Sequence, residues 1–67
     1  MREIYASELI KGDVFYERIE RGAFNLYLFL DEVQVNEYGE MVTYNCFDVR
    51  NKKFNYFADK DKVFKEV

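Results

Sequence analysis

Two runs of sheet-forming residues flank one acidic turn, and this pairing commits the chain to a β fold. The run Phe24-Asn25-Leu26-Tyr27-Leu28-Phe29-Leu30-Asp31-Glu32-Val33-Gln34-Val35 leads into Asn36-Glu37-Tyr38-Gly39-Glu40, and Met41-Val42-Thr43-Tyr44-Asn45-Cys46-Phe47-Asp48-Val49 follows. Branched and aromatic side chains fit a pleated surface, and two such runs joined by a short Gly-containing loop predict a β-hairpin. Within the first run Leu26, Leu28 and Leu30 share one face, while Tyr27 and Phe29 share the other. Past Asp31-Glu32 the apolar set moves to Val33 and Val35, with the parity of Tyr27. Such a change within one long strand predicts a bulge or sharp bend near Asp31-Glu32.

The rest of the chain follows the same pattern. Val14–Glu20 reads as a strand with Val14 and Tyr16 on one side and Phe15, Glu17 and Ile19 on the other. Arg21-Gly22 and Arg50-Asn51-Lys52-Lys53 read as turns. A fourth strand is expected over Lys53–Phe57, a polar break with one 3₁₀ turn over Ala58–Lys62, and a short final strand over Val63–Val67. Before the first strand, Ser7 is placed to cap a single helical turn through Leu9 and Ile10 that Gly12 stops.

Sixty-seven residues make one domain, residues 1–67. A domain this size buries only about 60% of its unfolded surface. Seven Phe and six Tyr supply the density such a core needs. The single Cys46 has no partner for an internal disulfide and reads as a small buried apolar residue. The apolar runs are shorter than a membrane span, and Met1-Arg2-Glu3-Ile4-Tyr5 lacks the apolar stretch of a signal peptide. A complete cytoplasmic product is the expectation. The wealth of Phe, Tyr, Ile, Asn and Lys fits an AT-rich genome, such as that of a low-GC bacterium or its phage.

Five strands, one of them bent, with a one-turn break before the last, predict a small SH3-like β-barrel that begins with a short helical turn. The rival OB-fold needs a helix between its third and fourth strands, and only Arg50 to Lys53 separate them here. The order of motifs resembles the KOW-like SH3 barrel that opens bacterial elongation factor P and its relatives. The resemblance rests on Ser7-Glu8-Leu9-Ile10-Lys11-Gly12-Asp13, on Leu28 to Val35, and on Phe57-Ala58-Asp59-Lys60-Asp61-Lys62-Val63. It covers about residues 6–67 and implies the fold. The basic, Gly-rich loop of that family is replaced by the acidic Asn36–Glu40, so the translation-factor role is not carried over.

The chemistry-bearing residues point away from catalysis. With no His, the chain has no Ser-His-Asp or Cys-His arrangement. Asp59-Lys60-Asp61 has the spacing of a Ca²⁺ loop without the Gly and distal Glu that such a loop requires. No cofactor, metal ligand set or catalytic residue is expected.

Charge is the remaining signal. Net charge is −3, but residues 1–49 carry four bases against ten acids, while residues 50–67 carry six bases against three acids. From Asp31 to Asp48 there are five acids and no base. The expectation is a non-enzymatic protein-binding module, as an inhibitor or accessory factor, using Asp31, Glu32, Glu37, Tyr38, Glu40 and Asp48 against a basic partner surface. The alternative is a nucleic-acid-binding barrel that uses Arg50, Lys52, Lys53, Lys60 and Lys62 among aromatic residues. Self-association through edge strands, the final strand above all, is another form that the protein-binding reading allows.

Overall fold

The computed structural model describes residues 1–66. Its strands are β1 (Arg2–Tyr5), β2 (Val14–Glu20), β3 (Ala23–Glu37), β4 (Glu40–Asp48), β5 (Lys53–Asn55) and β6 (Lys62–Lys65), with one 3₁₀ turn at Ala6–Glu8. All pairings are antiparallel, and the order across the sheet is β1-β6-β2-β3-β4-β5. The all-β class therefore holds, but the sheet is open and has six strands where a five-stranded barrel was expected. Among the described residues no helix is long and apolar enough to cross a membrane.

The sixth strand comes from the N-terminus. Arg2–Tyr5 alternates around a single apolar residue, Ile4, which pairs with Val63 and is buried. One apolar residue is too little pattern to announce a strand. The neighbouring turn also differs from expectation: it spans Ala6–Glu8, and the Glu8 carboxylate accepts the Tyr5 N–H at 2.8 Å, so Ser7 is not its cap. The last strand is flanked by β1 and β6's other neighbour β2, which removes it as a pairing edge; the edges are β1 and β5. Val67, expected at its end, lies outside the described residues.

Alternation sorts the side chains of the sheet. Phe15, Tyr27, Phe29, Cys46 and Val63 point inward and are buried with Ile4, Ala6, Leu9 and Phe57. Phe15 is the centre of this cluster. Its ring stacks on Tyr27 at 5.4 Å and meets Phe57 and Phe29 edge-on at 5.4 and 6.3 Å. Phe57 reaches the core because the chain leaves β4 after Asn55, earlier than the expected strand end. Asn45 takes over there: its Nδ2 donates to the Phe57 carbonyl at 2.8 Å and its Oδ1 accepts the Phe57 N–H at 3.0 Å. A side-chain amide thus stands in for a backbone partner and leaves both peptide groups satisfied.

The long strand β3 bends where its apolar parity changes. Phe29 pairs with Cys46, the next pair is Val33 with Tyr44, and Asp31 lies at φ 69°. Three residues of β3 face one of β4 across this step, a bulge with a residue in left-handed conformation. The bulge separates the packed part of the hairpin from a protruding part.

Candidate functional site

Beyond Asp31 the β3–β4 hairpin extends as an arm. Five residues, Val33–Glu37, carry it about 17 Å from the bulge to its tip. Its register ends with Glu37 opposite Glu40, leaving a two-residue turn of Tyr38 and Gly39 at φ 54° and 85°. Two successive positive φ values define the type I′ geometry that matches strand twist in tight hairpins. Gly39 meets the requirement at no steric cost. Tyr38 does not, and is fully exposed at the tip. Asn36 Oδ1 accepts the Gly39 N–H at 3.1 Å and holds the turn.

The arm concentrates negative charge. Asp31, Glu32, Glu37 and Glu40 are all exposed on it, and it carries no base. Glu37 and Glu40 face one another directly, an arrangement that like charges disfavour. The Tyr44 hydroxyl relieves part of this by donating to Glu37 Oε2 at 2.7 Å. That bond, with lesser contributions from desolvation and the Glu37 charge, holds the Tyr44 phenol above its ordinary pKa. Val33, Val35, Val42 and Tyr44 are half-buried along the arm, while Met41 is exposed.

Five of the six acidic-surface residues read from the sequence therefore share the arm. The sixth, Asp48, does not. It is 2% exposed and belongs to the interior. Its Oδ2 accepts from Asn25 Nδ2 at 3.0 Å and from Asn51 Nδ2 at 2.8 Å, and its Oδ1 accepts the Asn51 N–H at 3.0 Å. Desolvation raises its pKa, but hydrogen bonds from the Asn51 side chain and backbone, Asn25 and the Arg50 backbone together outweigh it, and the net direction is downward. Asp48 fixes the β4–β5 turn. The signal that would have placed it inside is parity: it alternates with Cys46 on the strand and pairs with Tyr27.

The basic residues divide. Arg50, Lys52 and Lys53 are exposed at the β4–β5 turn. Lys62 opens β6, three strands away in the sheet order, where its ammonium lies 5.9 Å from the Tyr5 ring. It borders a groove of about 190 Å³ lined also by Glu3, Ile4 and Glu8. Lys60 lies in the turn before β6, next to Asp59 and Asp61. Asp61 is occupied locally, its Oδ2 accepting the Ala58 N–H at 2.8 Å. The five bases named from the sequence thus form two groups with acids beside the second.

Cys46 is fully buried, and burial, with the carboxylates of Asp48 and Glu17 adding, pushes its thiol pKa up to about 12. A thiol held so far above neutrality is not a nucleophile at pH 7.

Tyr38 is the arm's clearest departure from local preference, because bulky residues seldom adopt positive φ. Tyr38→Asn gives the turn the Asn-Gly pair that type I′ geometry favours. It is expected to raise the thermal midpoint by about 3–5 °C, read by circular dichroism, while weakening whatever binding the tip performs. An unchanged or lower midpoint would show that the tip is not strained.

Comparison of the chain with protein-family models, with curated proteins and with solved structures found no match.

Proposed function

We propose that this chain is a non-enzymatic protein-binding module whose acidic arm engages a basic surface on its partner, as an inhibitor or accessory factor; a phage-encoded product is one biological form of this. The observation that carries the reading is the arm itself: four exposed acids and no base on a hairpin that projects past its own core, tipped by an exposed aromatic ring in strained backbone. A field of one sign speeds encounter with an opposite surface. Exposed Tyr and Met supply the contact that charge alone does not. On the side of the fold, the bent antiparallel run β2 to β5, flanked by β6, supports reading the sheet as an opened SH3-like barrel with an added N-terminal strand.

The test is capture from host extract on immobilised protein. Glu37→Lys with Glu40→Lys is expected to keep the circular dichroism spectrum and lose the captured protein, and capture by the native chain is expected to weaken as salt rises. Capture that survives both charge reversals would reject the arm as the binding surface. Salt-dependent retention on heparin, abolished by reversing Arg50 and Lys53, would instead favour the nucleic-acid reading.

A further inference from the structure

The face of the sheet opposite the core is left without a role by the arm. Antiparallel sheets that cover their core on one side ordinarily turn polar residues to the other. Here the register builds two apolar rows that meet on β3. Phe64 pairs with Tyr16, and Tyr16 with Leu26. Leu28 pairs with Phe47, and Phe47 with Phe54. All six side chains are partly exposed. The rows cross five strands, about 19 Å at ordinary strand spacing. Rings also join within them: Phe47 meets Phe54 at 5.2 Å, and Tyr44, at the base of the arm, stacks on Phe54 at 6.0 Å. The apolar face is therefore continuous with the arm.

Charge is laid out along the strands. The arm's acids lie beyond one end of this face. At the other end, the registers of β2, β3, β4 and β5 bring together the turns at Arg21-Gly22 and Val49–Lys52. Arg21, Arg50, Lys52 and Lys53 are exposed there, with Glu20 among them, while the Arg18 guanidinium lies over the Phe24 and Phe64 rings, 5.8 and 4.9 Å from their centroids. Two copies stacked face to face with antiparallel strands place each acidic arm along the other copy's basic turns. A parallel stacking would set arm against arm. A standard interface takes about 800 Å² from each partner, about one sixth of the 5022 Å² surface of this chain.

We propose that the chain forms a two-fold homodimer through this apolar face, with strands antiparallel and each acidic arm on the basic turns of the second copy. The proposal rests on the reading of the arm as a surface for a basic partner, and names that partner. Sheet-on-sheet packing supplies the contact, and the charge layout selects the orientation.

Sedimentation equilibrium over about 1–500 µM tests it, the range in which modest apolar interfaces dissociate. The native chain is expected to reach twice its 8.2 kDa mass. Leu28→Arg, in the middle of the face, is expected to stay monomeric with an unchanged circular dichroism spectrum. Because that substitution could disturb the sheet, two pairs on exposed turns provide an independent test. Glu37→Lys with Glu40→Lys, and separately Arg50→Glu with Lys53→Glu, are each expected to weaken self-association at least about tenfold. Mixing the two reversed proteins is expected to restore dimers, since each arm then meets an opposite turn. A native chain monomeric throughout overturns the pairing, while the arm's own reading stands or falls with the capture experiment. Dimers that survive Leu28→Arg would assign pairing to the β1 or β5 edges and overturn it. Dimers lost with Leu28→Arg but not recovered on mixing overturn the antiparallel arrangement.

Discussion

Phe15→Ala is expected to leave little or no folded protein at 25 °C. Phe15 is fully buried and touches three other rings. Truncating a buried Phe to Ala costs about 3–5 kcal/mol, the lost transfer free energy plus the cavity left behind. A chain of this length carries a total stability of about 3–10 kcal/mol at ordinary values per residue. The loss therefore takes most or all of it. Relaxation offers little relief, because Tyr27, Phe29 and Phe57 are rigid rings and cannot flow into the space. Phe24→Ala is the matched control. Phe24 lies on the opposite face, half-buried among Tyr16, Phe64 and Arg18, and its truncation is expected to cost about 1–2 kcal/mol. Urea unfolding of the two variants measures the difference. Equal losses at both positions would mean that the sidedness of the sheet is misassigned.

Asp48 carries the second large effect, and it is a structural one. Asp48→Ala removes the acceptor from three donors at once, one of them the buried Asn25 amide. Hydrogen bonds to a charged group contribute about 1.5–3 kcal/mol, and stranding their donors adds to the cost. A loss of about 3 kcal/mol is expected. Asp48→Asn keeps the shape but offers one oxygen where two are used, so a smaller loss remains.

The carboxylate also makes the fold acid-sensitive. Its folded pKa is lowered below the ordinary 3.8. The stabilisation is then fully present above the unfolded pKa and disappears as pH falls through the folded one. Urea midpoints are expected to be flat from neutrality to about pH 4 and to drop below it. Asp48→Asn is expected to make that drop shallower without abolishing it. Asp13 contributes the remainder, since the Ile10 backbone amide and Lys65 hold its carboxyl below the ordinary range too. A variant with the native midpoint at pH 7 and the native acid slope would remove Asp48 from this role.

The contrast between Asp48 and the arm acids shows how far residue type alone can go. All five acids between Asp31 and Asp48 look alike in a composition count. Four end in solvent on a projecting hairpin, and one ends under a turn among three amide donors. Strand parity separates them only once the inward face is known. The alternation at Leu26–Leu30 gave two faces without saying which would be covered, and the face with two aromatic residues became the core, leaving the leucines half-exposed. Strand β1 was hidden for another reason: with Ile4 as its one buried residue, it is held by its neighbour β6 more than by its own pattern. Asn45 reads as an ordinary polar strand residue until Phe57 is placed beside it.

Residues close in the chain determined the local conformation of this protein. Alternation of apolar and polar side chains, a Gly at the hairpin tip and a break of parity at Asp31-Glu32 specify strands, turn and bulge, because these depend on neighbours within a few residues. The tertiary structure alone decided which face is buried, that the sheet stays open with β6 inside it, and which acid lost its water. Those outcomes depend on contacts between segments far apart in the chain, where burial of rings and satisfaction of every desolvated polar group are settled together.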